Sequence, residues 1–218
     1  MSLTLAIETS NPSCEAGVAI GSPEGLLGVE PVQTGDGRHD DLMTAIDRLC
    51  KRIGATPRQV SRIAVSIGPG GYTTLRIAEA TAKMLAEALG AQCVAVPTAR
   101  VVARRVTVQG LFAVVLASKD GTAFATGYRD PDVETGPGRL ISTLEGLNVG
   151  TLVADSFLPK ALTEEAARLG IAIVPPRFDP AACLELSFNA AAVDPVALTP
   201  LYPREPEAVT KWRARKAR

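Results

Sequence analysis

A glycine-rich turn carries the clearest chemical signal in this chain of 218 residues. In the segment Ser66–Arg76, an apolar stretch runs through Gly68, Gly70 and Gly71 into a long helix-forming stretch. Glycine tolerates backbone angles that other residues resist, and the N–H groups at a helix start attract anions. The turn has neither the Lys-Ser/Thr ending of a P-loop nor the glycine spacing of a dinucleotide fingerprint. It therefore predicts either a phosphate-binding turn or a tight strand-to-helix connection without a ligand.

The carboxylate of Glu8 is the acidic group that we expect to face this turn. Glu8 ends the first apolar stretch and is followed by Thr9 and Ser10. It either caps the end of a strand or holds a water molecule or Mg²⁺ close to a triphosphate. The candidate phosphate loop consists of Glu8, Thr9, Ser10, Gly68, Gly70 and Gly71.

The sequence offers little histidine for acid–base catalysis or metal binding. His39 is the single histidine, so the chain has neither a His-x-x-x-His nor a His-Glu-x-x-His pair for a metal ion. The neighbouring Asp40 and Asp41 point in different directions on a helix, and no Gly-x-Ser-x-Gly elbow is present. We therefore expect no catalytic residue, no metal site and no cofactor.

Composition narrows the class of protein further. The 23 basic and 23 acidic residues balance, and aromatic residues make up 4%, which argues against a nucleic-acid binder with many base-stacking side chains. The four cysteines, Cys14, Cys50, Cys93 and Cys183, are irregularly spaced, which favours a reducing compartment. Without a basic leader or a run of 18 apolar residues, the chain is expected to be cytoplasmic and to make no membrane contact.

The carboxyl-terminal end departs from this charge balance. Five basic residues and no acidic residue lie within the last eight positions. Such a tail either contacts phosphates or remains solvated, and solvation is the favoured interpretation. The basic residues are Lys211, Arg213, Arg215, Lys216 and Arg218.

Alternating strands and helices are predicted to position these residues. Short connections make the first three strands antiparallel neighbours. The alternation of strands with helices makes the later strands parallel, joined by right-handed crossovers. Thr73 or Thr74 is predicted to cap the helix after the glycine turn. The predicted elements are strands Leu3–Thr9, Glu15–Ile20 and Leu26–Val32, a helix His39–Ile53 closed by Gly54, strand Ile63–Ile67, a helix ending at Gly90, and strand Cys93–Val96.

A second, thinner lobe is predicted to begin near residue 107. Its first two strands flank Asp120-Gly121, a pair typical of hairpin turns. We predict an amino-terminal lobe over residues 1–106, a smaller lobe over 107–203 and a basic tail over 204–218. The elements of the smaller lobe are strands Leu111–Ala117, Ala123–Tyr128, Thr151–Ala154 and Ile171–Val174, and helices Leu158–Leu169 and Ala182–Ala192.

Two predicted helices of the first lobe carry broad apolar faces. Ala78, Ala82 and Ala86 recur every four residues, so another helix can approach this face closely. Met43 and Cys50 widen the apolar row of the preceding helix. Core packing is the usual explanation of such faces, whereas an apolar strip that the sheet leaves uncovered marks a protein partner.

Several motifs, taken in order, resemble the TsaB family, the bacterial accessory subunit for making threonylcarbamoyladenosine in tRNA. They are Leu5–Ser10, the helix entry at His39, the turn and helix start Gly68–Ile77, and the ending Asp194–Arg204. The resemblance implies an actin-like or Hsp70-like ATPase fold with two ribonuclease H-like lobes, the second one reduced. It also implies that the nucleotide chemistry has been lost, so that the phosphate loop is vestigial.

The resemblance further implies a non-catalytic role. The related enzyme TsaD carries a metal-binding His-x-x-x-His after the strand that here ends at Val96, where this chain has Pro97–Val102. The chain would be a partner subunit of a TsaD-like enzyme that modifies the adenosine next to the tRNA anticodon.

Partners follow from the same resemblance. A TsaE-like ATPase would join the complex, the chain alone would form a homodimer, and tRNA would be contacted indirectly or through the basic tail. The expected partner-binding residues lie on the two helices of the first lobe: Leu42, Met43, Ile46, Leu49, Cys50, Ala78, Ala82, Leu85 and Ala86.

Two segments depart from the family pattern. Thr74 stands where the family tends to have glycine, and Ala117–Gly121 replaces an Asp-Ala-Arg-x-Gly-Glu pattern. These departures concern nucleotide contact at the turn and the geometry of the second lobe. The alternative function is a nucleotide-binding ATPase or phosphotransferase of the same fold that acts on its own. A peptidase hypothesis lacks a nucleophile–base pair.

Overall fold

Two mixed sheets with helices on their faces organise the chain. The computed structural model describes residues 2–11, 16–33, 41–204, 212, 213 and 215. The strands are β1 Leu3–Glu8, β2 Gly17–Ser22, β3 Gly25–Pro31, β4 Val60–Ser66, β5 Gln92–Val96, β6 Phe112–Ala117, β7 Ala123–Asp130, β8 Val133–Glu134, β9 Arg139–Ile141, β10 Thr151–Val153 and β11 Ala172–Val174. The α-helices are α1 Leu42–Ile53, α2 Tyr72–Leu89, α3 Thr98–Ala103, α4 Lys160–Leu169 and α5 Pro180–Ser187.

The first sheet has the strand order β3-β2-β1-β4-β5. The first three strands are antiparallel neighbours, and β4 and β5 run parallel to β1. Both the antiparallel opening and the parallel later strands are confirmed. In the second sheet, β11, β10 and β6 are parallel, and β7 pairs antiparallel with β6, β8 and β9. The short strands β8 and β9 were not predicted from the sequence.

Strand alternation gives the first sheet two different faces. Leu3, Leu5 and Ile7 of β1 belong to the apolar cluster that α1 and α2 cover. Ala6 lies on the opposite face, where its small side chain lets α5 pack closely, and Glu8 follows two residues later on that face. The carboxylate of Glu8 therefore ends β1 on the side of α5.

Helix α3 is shared between the two sheets. Val101 packs in the cluster of the first sheet, whereas Ala99, Val102 and Ala103 pack with Phe112 of the second sheet. Helix α4 covers the other face of the second sheet. The layers therefore run from α1 and α2 through the first sheet, α3 and α5, and the second sheet to α4.

The final helix differs from its prediction. It spans Pro180–Ser187 rather than Ala182–Ala192. Proline at the first helical position supplies a favourable φ, and the Asp179 carboxylate caps the start by accepting a hydrogen bond from Ala181 N at 2.8 Å. This helix belongs to the range 107–203 that was predicted as the second lobe, yet it packs against β1 and β2 of the first sheet.

The cap predicted for α2 is wrong. Gly71 occupies the N-cap position, and Thr73 and Thr74 lie inside the helix. The Thr74 hydroxyl donates to the carbonyl oxygen of Gly71 at 3.0 Å instead of accepting from the backbone. The start of the preceding helix at His39 lies outside the described residues.

Candidate functional site

The glycine turn packs against Ser10, the second residue after the first strand. The amide of Gly71 donates to the carbonyl oxygen of Ser10 at 2.7 Å. A Cβ atom on Gly70 would overlap the same carbonyl, so the close approach requires glycine. Gly68 has a φ of +100°, and its carbonyl oxygen accepts from Thr98 N at 3.0 Å. The turn is therefore a backbone junction between β1, β4, α2 and α3.

The residues of the predicted phosphate loop lie close together. Besides the Ser10 contacts with Gly70 and Gly71, the Thr9 hydroxyl donates to the carbonyl oxygen of Thr74 at 3.3 Å. Two donors of the loop, the Gly71 amide and the Thr9 hydroxyl, are thus bound to carbonyl oxygens of the same chain. Such contacts are typical of a tight strand-to-helix connection, and phosphate binding at the turn stays a prediction.

The carboxyl group of Glu8 is fully buried beneath this junction. Its Oε1 accepts hydrogen bonds from Ser10 N at 2.7 Å and from Ser10 Oγ at 2.5 Å. Its Oε2 is buried without a hydrogen-bond partner. Burial raises the pKa of Glu8, and hydrogen bonding from Ser10 and the nearby hydroxyl of Ser66 opposes this rise. The group combines a strand-end contact through Oε1 with an unpaired atom at Oε2.

A cavity of about 240 Å³ opens between the sheets next to the glycine turn. The side chains of Asn11 and Asp155 span it, with Asn11 Nδ2 donating to Asp155 Oδ2 at 3.3 Å. Half-burial raises the pKa of Asp155. No lysine or arginine is among the described residues that line the cavity, so they offer a phosphate group no positive side chain. The lining consists of Ser10, Asn11, Pro69, Gly70, Gly71, Leu116, Ala117, Asp155, Phe157 and Phe178.

Sequence reasoning missed the contribution of the second sheet to this cavity. Asp155 lies two residues after β10, just as Ser10 lies two residues after β1. Ligand sites in α/β sheets form beyond the carboxyl ends of strands, and that rule was the available signal. The pairing of Asn11 with Asp155, which are 144 residues apart, leaves no local trace in the sequence.

Most of the expected partner-binding residues face the chain's own sheet. Met43 is 43% exposed and Leu85 is half-buried. The others are core residues because α1 and α2 turn their apolar stripes toward β1, β2 and β4. A protein that docks on these helices would therefore meet their outer sides. The buried residues are Leu42, Ile46, Leu49, Cys50, Ala78, Ala82 and Ala86.

Within the described ranges, no three His, Cys, Asp or Glu side chains come together as a metal site. None of the described helices has both the length and the apolar character that a bilayer span requires.

Comparison with known proteins identifies the family. The sequence model of the family "TsaD: tRNA N6-adenosine threonylcarbamoyltransferase" matches residues 17–127, which is slightly more than half of the chain. This match includes the glycine turn, β6 and the first five residues of β7. No curated protein matches the sequence.

Two solved structures share the architecture. An uncharacterized protein with similarity to peptidase YeaZ from Pseudomonas aeruginosa superposes with a TM-score of 0.74 at 18% identity, over 94% of this chain and 100% of that chain. YeaZ from Pseudomonas aeruginosa gives 0.71 at 17% identity, over 93% and 100%. The expected fold and the resemblance to TsaB, the YeaZ-like group, are confirmed. The chain belongs to the TsaD family and has the actin-like fold of YeaZ.

Proposed function

We propose that this chain is a non-catalytic partner subunit of a TsaD-type enzyme that makes threonylcarbamoyladenosine next to the anticodon of tRNA. Membership of the TsaD family supports the link to this tRNA modification. The YeaZ fold supports the role of a partner subunit rather than that of the enzyme. The observation that carries the non-catalytic role is the closed glycine turn, whose Gly71 amide is bound to Ser10 of the same chain.

The cavity beside the turn agrees with this role. Its described lining offers apolar surface, an amide and the acidic Asp155, but no basic side chain for a polyphosphate. A triphosphate there would also lie near the buried carboxyl group of Glu8. The lining thus disfavours nucleotide binding on electrostatic grounds.

Deleting the gene tests the proposal directly. We expect threonylcarbamoyladenosine in total tRNA to fall sharply, and the wild-type gene supplied on a plasmid to restore it. Nucleoside analysis of digested tRNA by mass spectrometry measures the change. An unchanged content of this nucleoside in the deletion strain would overturn the proposed function.

Partners are expected at the outer sides of α1 and α2. A TsaD-like catalytic subunit would dock there, a TsaE-like ATPase would join through the complex, and a second copy would occupy the same surface when the chain is alone. Met43, Asp47 and Lys51 are exposed on α1, as are Ala80 and Met84 on α2. The complex would work in the cytoplasm.

The alternative is a nucleotide-binding ATPase or phosphotransferase of the same fold. The observation in its favour is Oε2 of Glu8, a buried acceptor without a partner beside the assembled loop. Calorimetry with ATP and Mg²⁺ on the purified chain separates the two functions. Tight binding with turnover would support the enzyme, whereas the absence of heat and of product would support the partner subunit.

A further inference from the structure

We propose that Tyr72, Arg76 and Tyr202 form a stacking platform for unpaired bases in an RNA loop. These three residues, called the tyrosine platform below, lie at the start of α2 and in the later segment that contacts it through Tyr202. The inference deepens the proposed function, because tRNA is the RNA that such a subunit would meet.

The platform is built from exposed aromatic rings in mutual contact. Tyr72 is 60% exposed and Tyr202 is 40% exposed. Their ring centroids are 5.6 Å apart with an interplanar angle of 35°. The guanidinium carbon of Arg76 lies 5.3 Å from the ring centroid of Tyr72, and Arg76 Nη1 donates to the Tyr72 hydroxyl at 2.7 Å. Bases of single-stranded RNA stack on aromatic rings and on guanidinium planes of this kind.

The backbone around the platform holds it in place before any ligand arrives. Tyr72 is the first residue of α2. Beside Tyr202, the amide of Leu201 donates to the carbonyl oxygen of Ile67 at 2.7 Å. On the other side, Arg204 donates to Thr122 Oγ1 at 3.0 Å and pairs with Asp120 of the β6–β7 hairpin. Rings that are already fixed lose little conformational freedom on binding.

Charge around the platform favours a polyanion. Within the described residues, Arg76 forms no ion pair and contacts Tyr72 instead. The acidic neighbour Glu79 is matched by Lys83, whose Nζ lies 2.6 Å from Glu79 Oε1. The surface therefore presents a positive group beside two aromatic rings.

The sequence after Arg204 adds more positive charge. Residues 205–218 follow directly, and the last eight contain five basic side chains and no acidic one. Basic side chains add affinity for any polyanion, because they release counterions from its phosphates. Stacking would choose unpaired bases, while the tail would supply affinity that depends on salt. This combination distinguishes an RNA loop from an acidic peptide, which offers charge without bases.

The test measures binding of the full-length purified chain to two labelled RNAs by fluorescence anisotropy. One is a hairpin with an unpaired loop, and the other is a blunt duplex of equal length. We expect Tyr72→Ala and Tyr202→Ala to weaken hairpin binding roughly 5- to 100-fold, since each removes a stacking surface. Tyr202→Phe keeps the ring and should bind as the wild type does.

Controls separate this effect from misfolding and from a general loss of charge. Leu169→Ala changes an exposed apolar side chain of α4 away from the platform and should leave hairpin binding unchanged. Replacing the five basic residues of the tail by glutamine should weaken the binding of both RNAs and reduce the dependence of that binding on salt. Circular dichroism melting verifies that each variant is folded, and Tyr202→Ala carries the test if Tyr72→Ala disturbs α2.

Three results would overturn the inference. The first is equal binding of the hairpin and the duplex by the wild-type chain. The second is hairpin binding by both alanine variants that equals that of the wild type. The third is that the alanine variants no longer bind a TsaD-like protein but still bind RNA. The last result would make the platform a protein interface. Because this assay uses the isolated chain and RNA, its failure is distinct from an unchanged nucleoside content after gene deletion.

Discussion

At the scale of single residues, Gly70 determines how the first strand meets the second helix. Its missing side chain allows the carbonyl group of Ser10 to approach the turn, and the neighbouring Gly71 amide binds that carbonyl. The same contact brings Ser10 over the carboxyl group of Glu8. One glycine thus controls both the shape of the turn and the surroundings of a buried acid.

Gly70→Ala should destabilise the protein by about 1–3 kcal/mol, because the added methyl group collides with backbone rather than with a flexible side chain. Urea unfolding followed by circular dichroism measures the change. Gly136→Ala is the matched control, since a Cβ there meets nothing within 4 Å and should shift stability by no more than about 0.5 kcal/mol. Equal stabilities of the two variants would contradict the close contact with Ser10.

Glu8 makes stability depend on pH with a definite sign. Burial holds the pKa of Glu8 above its ordinary value of 4.5, so the folded protein keeps a proton that the unfolded chain has released. The contribution of Glu8 to the free energy of unfolding is complete below that value and is lost as pH rises through the raised pKa. Ionisation of the buried group therefore works against the fold.

Glu8→Gln cannot ionise, and we expect its stability relative to wild type to increase with pH. The gain should reach up to about 1.4 kcal/mol per pH unit between the unfolded and folded pKa values. Urea unfolding of both proteins at a series of pH values from 4.5 upward measures it. A difference that stays constant across the series would show that Glu8 has the same pKa in both states.

At the scale of elements, small residues determine which helix covers which face. Ala6, Ala19 and Ala64 form the surface of the first sheet under α5, where Ala182 is fully buried. On the opposite side of the sheet, larger side chains pack against α1 and α2. The sheet is therefore asymmetric, with close helix packing on the side that also carries Glu8.

Ala182→Leu should destabilise the protein by roughly 1–3 kcal/mol, because the added atoms have no space between α5 and β1. Thermal unfolding by calorimetry measures the effect. Ala80→Leu is the comparison, since Ala80 is exposed on α2 and should tolerate leucine. A stable Ala182→Leu protein would mean that α5 packs more loosely than described.

The elements that the sequence predicted well are those with local signals. The opening strands were predictable from apolar stretches bounded by turns, and the β6–β7 hairpin from Asp120-Gly121, both of which adopt positive φ. Periodicity showed that α1 and α2 have apolar faces, but it cannot tell a chain's own sheet from a partner. The return of α5 to the first sheet and the meeting of Asn11 with Asp155 depend on contacts between distant segments, which local patterns do not encode.

At the scale of the whole molecule, the layered order leaves the outer sides of α1 and α2 at one end. No other described element covers Met43 on α1 or Met84 on α2, and both side chains are exposed. The partner surface proposed above would lie here, on the far side of the first sheet from the cavity. A partner could thus bind without entering the space between the sheets.

Met43→Glu should convert the proposed homodimer to a monomer, because a carboxylate would have to be buried at the interface. Sedimentation velocity measures the oligomeric state. Leu169→Glu on α4 serves as the control and should remain dimeric, since that helix covers the second sheet. A wild-type monomer, or a dimer of the Met43→Glu variant, would rule out this surface for self-association.

The position of α5 has a consequence for synthesis on the ribosome. All strands of the first sheet lie within residues 3–96, yet residues 180–187 cover one of its faces. The nascent chain must be synthesised through residue 187 before α5 can shield that face from water. Until then, residues 3–96 should expose an apolar surface of the kind that chaperones bind, although their own strands and helices are already available for folding.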